Sequence, residues 1–225
     1  MNTTFRQLLS KPSFWTQPLA ANPEVQRTGL PRLDAQLPNG GWPFGAVTEL
    51  RPTHEDIGAF SILIPTLVKL TQADRKVVLM ASAQMPEIET LGEHGVRMRH
   101  VTILRAHDEN ILWAMEQKLR SGEIAMLVAW TDQISDRQIR RLAQAAEAGR
   151  SIAMLYRNAG SHRFSKASAL HLLLRPGIDG LLDIEILKPR GQRAGTVVAQ
   201  GTRSLPRSRP QGGLPQLAYA PAWSL

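Results

Sequence analysis

The chain has 225 residues, 43% of them hydrophobic and 20% charged, enough for one domain with a full core and ragged ends. Its 27 basic and 19 acidic residues leave a net charge of +8, which favours anionic partners, nucleic acid first. Cysteine is absent, which excludes disulfides and thiolate metal sites. No apolar run could span a bilayer, and Met1–Leu19 lacks the continuous apolar region of a signal peptide, so a cytoplasmic protein is expected.

Residues 1–27 are broken by prolines and read as an N-terminal arm with scattered anchors at Phe5, Leu8, Leu9, Phe14 and Trp15. From Thr28 the stretch TGLPRLDAQLPNGGWPFGAVTEL leads into an apolar strand at Ala46–Leu50. A largely apolar helix is predicted from about His54 to Leu70, kinked by Pro65. Thr53 and Asp56 there suit the cap and third helical residue of a capping box.

Lys76–Ala81 reads as a second strand, followed by a helix around Pro86–His94 and a third strand at Val101–Leu104. Asp108 then caps a helix with Ile111, Leu112, Met115 and Leu119 on one face, closed by Gly122. Ile124–Trp130 is a fourth buried strand. Ser135 and Gln138 form a capping box that opens a helix over Asp136–Ala148, which Gly149 ends.

Ser151–Tyr156 is a fifth strand. Unbroken apolar strands alternating with amphipathic helices predict an α/β fold, a mostly parallel sheet flanked by helices on both faces. After Tyr156 the pattern changes. Ala169–Leu174, Leu181–Leu187 and Gly195–Ala199 are joined by turn residues, which predicts antiparallel strands at the C-terminal end. The core domain is therefore placed at 28–200, and residues 201–225 read as a basic, Pro/Gly-rich disordered tail.

The Thr28–Leu50 stretch resembles the opening of RecA-type ATPase cores, in which the strand feeds a Gly-rich phosphate loop ending in Lys-Ser/Thr. Such a loop works because backbone N–H groups, the Lys and the hydroxyl together hold phosphates and Mg²⁺. Here the strand runs into Thr53, Glu55, Asp56 and Gly58, and Ala59 and Phe60 follow the glycine. Two carboxylates would repel a polyphosphate. The resemblance also places Ala83 where the catalytic acid belongs and Trp130 where the Walker B Asp belongs. The nucleotide site is thus degenerate, no cofactor is expected, and no catalytic residue is assigned.

Over Thr28–Gln200 the chain resembles the ImuA family, RecA-like and SulA-related, through TGLPRLDAQLPNGGWPFGAVTEL, LWAMEQKLRSGEIAMLVAW, IRRLAQAAEAGRSIAMLYR and LDIEILKPRG. That resemblance implies a non-catalytic accessory factor of SOS-induced error-prone translesion synthesis. Its partners would be an ImuB-type inactive polymerase, with RecA, an error-prone polymerase subunit and single-stranded DNA as further candidates. The segment Arg120-Ser121-Gly122…Trp130 and Arg140-Arg141-Leu142…Gly149 is also similar to SulA, the SOS inhibitor of FtsZ. A SulA-like cell-division inhibitor is the alternative.

The segment after the fifth strand carries Arg157, His162, Arg163, Phe164 and Lys166, at the place of the mobile DNA loop of RecA. Cations that track phosphates and a ring that stacks a base suit single-stranded DNA. A solvated basic loop is the equal alternative. None of the six histidines stands in metal-ligand spacing. Arg137, Arg140 and Arg141 form a basic helix face, solvated by default. In the tail, Leu214, Leu217, Tyr219 and Trp223 are anchors for a partner protein or for the domain's own surface.

Overall fold

A computed structural model describes residues 24–54, 58–80, 88–104, 111–131, 134–157, 164–178, 181–187 and 193–199. Their main feature is an eight-stranded sheet. Its strands are β3 (Ala46–Pro52), β4 (Lys76–Met80), β5 (Val101–Leu104), β6 (Ile124–Trp130), β7 (Ile152–Tyr156), β8 (Leu170–Pro176), β9 (Leu182–Leu187) and β10 (Arg193–Ala199). The order across the sheet is β10-β9-β8-β3-β7-β6-β4-β5. The strands from β8 to β5 in that order are mutually parallel, and β9 and β10 follow antiparallel. Two short strands, β1 (Val25–Gln26) and β2 (Trp42–Pro43), pair antiparallel in a separate ribbon.

The parallel strands read as unbroken apolar runs because both faces are covered. Helices α4 (Ile111–Arg120) and α5 (Asp136–Gly149) lie on one face, where Met115, Leu119, Ile139, Leu142 and Ala146 pack with Val47, Val78, Leu127 and Leu155. On the other face α2 (Ile64–Gln72) and α3 (Ile88–Glu93) contribute Leu67, Leu70 and Leu91 to a core with Leu50, Leu79, Val128 and Met154. Leu182, Ile184 and Ile186 of β9 join the same core.

Local chemistry explains several boundaries. Both halves of the Ser135–Gln138 capping box are present at the start of α5, as expected. Pro65, expected to kink a helix running from His54, instead sits in the first turn of α2, where its missing N–H costs nothing. The chain reaches α2 through a 3₁₀ turn at Ala59–Leu63 whose leading residue is Gly58, in the left-handed region at φ 65°. Thr53 is therefore no helix cap: its hydroxyl lies 3.0 Å from His54 Nδ1. Asp56 and Asp108 lie outside the described residues.

The TGLPRLDAQLPNGGWPFG segment proves to be a buried polar splice. Its helical turn, α1 (Pro31–Asp34), turns Asp34 back so that Oδ1 accepts the Thr28 N–H at 2.8 Å. Thr66 of α2 donates its hydroxyl to the Thr28 carbonyl at 2.9 Å and accepts the Trp42 indole N–H at 2.9 Å. Trp42 is fully buried. The residues that suggested an approach to phosphate thus anchor the lead-in to α2. Residues 24–27, placed in the arm by sequence, join the fold through β1.

Candidate functional site

In an open parallel sheet the carboxyl ends of the strands are where ligands bind. Here the carboxyl ends of β3, β7 and β6 lie side by side, with Leu50 level with Tyr156 and Tyr156 level with Trp130. Strand alternation sends Leu50, Tyr156 and Trp130 to the α2 side and Glu49 and Arg51 to the opposite side. The two sides of this edge are chemically different.

On the α2 side three aromatic rings fill the space. Trp130 stacks on Tyr156 with centroids 5.2 Å apart and on Phe60 at 5.7 Å, and Phe60 lies 6.4 Å from Tyr156. The Tyr156 hydroxyl donates to the Ala59 carbonyl at 3.0 Å, tying the end of β7 to the turn that follows β3. Burial raises the Tyr156 phenol well above its usual pKa, so it stays a neutral donor. Trp130 stands where the resemblance placed it, at the end of β6, and Phe60 follows Gly58 inside the same cluster. Glu55, Asp56 and Ala83 lie outside the described residues.

On the α5 side the centre is Glu49, which has no solvent exposure. Its Oε1 accepts the Ser165 N–H at 2.8 Å and the Ser168 hydroxyl at 2.6 Å, and its Oε2 accepts Arg157 Nη1 at 2.6 Å. Arg51 Nη2 stands 3.8 Å from Oε2. His171, level with Glu49 on β8, donates Nε2–H to the Ser165 carbonyl at 2.9 Å. Phe164 lies between His171, with ring centroids 4.6 Å apart, and the Arg51 guanidinium, 3.7 Å from its centroid.

The topology explains why a carboxylate is buried here. β7 and β8 flank β3 and run parallel to it, so the chain passes from one side of β3 to the other between Tyr156 and Leu170. A parallel crossover is ordinarily a helix, which satisfies its own backbone. The described part of this one, residues 164–169, has none. Its polar groups need acceptors from the sheet below, and Glu49 supplies them. Two guanidiniums offset the carboxylate charge. Burial, the largest influence, lowers the His171 pKa against the opposing pull of Glu49, leaving the imidazole neutral.

This arrangement revises the nucleic-acid reading of the segment. Arg157, expected on phosphate, is 7% exposed and committed to Glu49, with Nη2 also 3.5 Å from the Ile134 carbonyl. Phe164, expected to stack a base, is half-buried with both neighbours in place. Lys166 is exposed. His162 and Arg163, like Leu214, Leu217, Tyr219 and Trp223, lie outside the described residues. Sequence reasoning missed Glu49, Arg51, Ser165, Ser168 and His171. The available signal was a Glu and an Arg inside a strand buried on both faces.

Among the described residues no group of three His, Asp or Glu side chains could hold a metal ion, and no helix is long and apolar enough to cross a membrane. Both Glu49 oxygens are thus engaged within the fold, and on the facing side Phe60, Trp130 and Tyr156 stack on one another.

A family model described as the cell division inhibitor SulA matches residues 45–153. The chain is also 34% identical over 97 residues to a cell division inhibitor SulA from Edwardsiella piscicida. That alignment covers 42% of this chain and 58% of the relative's length. The SulA-like stretch therefore runs from the residue before β3 to the second residue of β7, and the polar splice, the crossover and β8–β10 lie outside it.

Proposed function

We propose that this protein is a non-catalytic regulator of SulA type, acting in the SOS response by binding another protein. The observation that carries this reading is the similarity to SulA over residues 45–153, which contain Phe60 and Trp130. The aromatic rings stacked at the carboxyl edge support surface contact as the means of action. The likeness supports FtsZ as first partner. Co-sedimentation of cognate FtsZ polymers with GTP is the test. Loss of pelleted polymer near equimolar ratio is expected, and full pelleting at large excess overturns the reading.

A second reading, an ImuA-type accessory of translesion synthesis, is favoured by what lies outside the matched stretch. The lead-in with Thr28, Asp34 and Trp42 is locked into the core, and β8 and β9 extend the sheet. The ImuA resemblance rests on these same parts of the chain, TGLPRLDAQLPNGGWPFGAVTEL and LDIEILKPRG. Capture of a cognate ImuB-type protein, with FtsZ polymerisation untouched, would favour this reading over the first.

A further inference from the structure

The amino ends of the parallel strands form the opposite edge of the sheet, and cations gather there. Arg75 and Lys76 precede or open β4, Arg97 and Arg99 precede β5, and Arg120 closes α4 ahead of β6. All five are exposed. β5, β4 and β6 are hydrogen-bonded neighbours, so the turns and the helix end that lead into them come together along one edge of the sheet. The nearby carboxylates are fewer. Asp74 is shared among Arg97 Nη1 and Arg99 Nη2, both at 3.4 Å, and His100 Nε2 at 3.0 Å. Glu123 before β6 and Glu93 at the end of α3 are exposed as well, which leaves five cations against three carboxylates. Farther along the edge Arg150 is matched by Glu24 at 2.6 Å.

We propose that this amino-edge row is a binding surface for single-stranded DNA, contacted through its phosphates. Two observations carry it, beside the net charge of +8, to which the buried Arg157 adds nothing at the surface. The row has more cations than carboxylates and is rich in guanidiniums, whose forked donors match phosphate oxygens. The half-buried ring of Phe44 packs against the core beside the row with the Arg75 guanidinium over it at 5.9 Å, and an unpaired base would stack there by displacing that side chain. A duplex offers no such base. The surface lies away from the aromatic cluster and the Glu49 crossover, and it goes beyond the protein partnership proposed above.

The test is fluorescence anisotropy of the full chain with a labelled 30-nucleotide oligo(dT), over a salt series. The triple variant Lys76→Ala/Arg99→Ala/Arg120→Ala should weaken binding at least tenfold at low salt. It should also reduce the slope of log affinity against log salt by about two units, since each lost phosphate contact removes about 0.7 on a single strand. Lys166→Ala should leave both unchanged, and Phe44→Leu should weaken binding without changing the slope. If the triple variant loses its fold by circular dichroism, Lys76→Glu alone should still lower affinity and slope. The proposal is overturned if the wild type does not bind, if the variants bind as the wild type does, if Lys166→Ala has the larger effect, or if a duplex of equal length binds as tightly. It is likewise overturned if only an acidic peptide binds the row.

Discussion

Glu49 and His171 sit level on neighbouring strands but carry opposite liabilities. Glu49 is a charge whose removal would leave Arg157 buried without a carboxylate. Breaking such a pair from one side costs about 3–5 kcal/mol. Glu49→Ala is therefore expected to lower the urea unfolding free energy by about that much, with Glu49→Gln intermediate because an amide oxygen still accepts. A loss of under about 1 kcal/mol for Glu49→Ala would show that the crossover does not depend on it. His171 faces Glu49, Arg51 and Arg157, and burial depresses its folded-state pKa below the ordinary 6.5. Below pH 6.5 the unfolded chain takes up a proton that the folded one refuses, so this contribution to stability is full above pH 6.5 and lost as pH falls towards the folded pKa. Unfolding free energy measured from pH 7.5 to 5 should decline more steeply for the wild type than for His171→Gln. None of this was legible from Glu49 itself: strand propensity and periodicity treat it as one polar residue in an apolar run. Only the pairing of β3 with β7 and β8 reveals what crosses above it.

The elements were far more readable. Continuous apolar runs marked β4, β6 and β7, and the Ser135–Gln138 pair marked the start of α5, because those signals are local and each has one physical cause. The missed elements lack such a cause in their own sequence. β1 and β2 are two residues each and exist only through each other. Pro65 allowed two readings, a kink or a first turn, and the short 3₁₀ segment before it decided between them. At the junction of α4 and α5 the packing is tight enough to test. A Cβ on Gly149 would lie 1.9 Å from the Leu119 carbonyl oxygen, a backbone atom at the end of α4 that cannot yield without moving the helix. Ser151 donates its hydroxyl to the same oxygen at 3.1 Å. Gly149→Ala should therefore destabilise the domain by more than about 2 kcal/mol, although alanine favours helix over glycine by nearly 1 kcal/mol. A neutral or stabilising effect in denaturant titration would mean that the two helices can separate without loss. Ser135→Ala, which removes only the cap, should cost about 1 kcal/mol.

For the whole molecule, the reading of an α/β domain with a mostly parallel sheet and an antiparallel end matches the observed strand order. The similarity to SulA agrees with part of the resemblance seen in the sequence, over residues 45–153. Calorimetry with ATP and Mg²⁺ bears on the closed edge. No heat of binding is expected at micromolar protein, with or without oligo(dT), because Phe60, Trp130 and Tyr156 occupy the carboxyl edge on the α2 side. Micromolar binding would require those rings to move, and would sink a purely adaptor role. The strand order also governs how the chain reaches this state. β3, early in the sequence, is paired on both sides with strands made much later; Glu49 and its partner Arg157 are 108 residues apart. During synthesis β3 leaves the ribosome with both edges open and must wait for β7 and β8. Long-range pairing of this kind slows folding, because loop closure precedes any reward. Pulse-labelled hydrogen exchange on refolding should find β3 amides protected only with those of β7 and β8, after the α4–α5 pair. Until then the newborn chain presents a bare sticky ribbon, and a cell making it quickly would need chaperones close at hand.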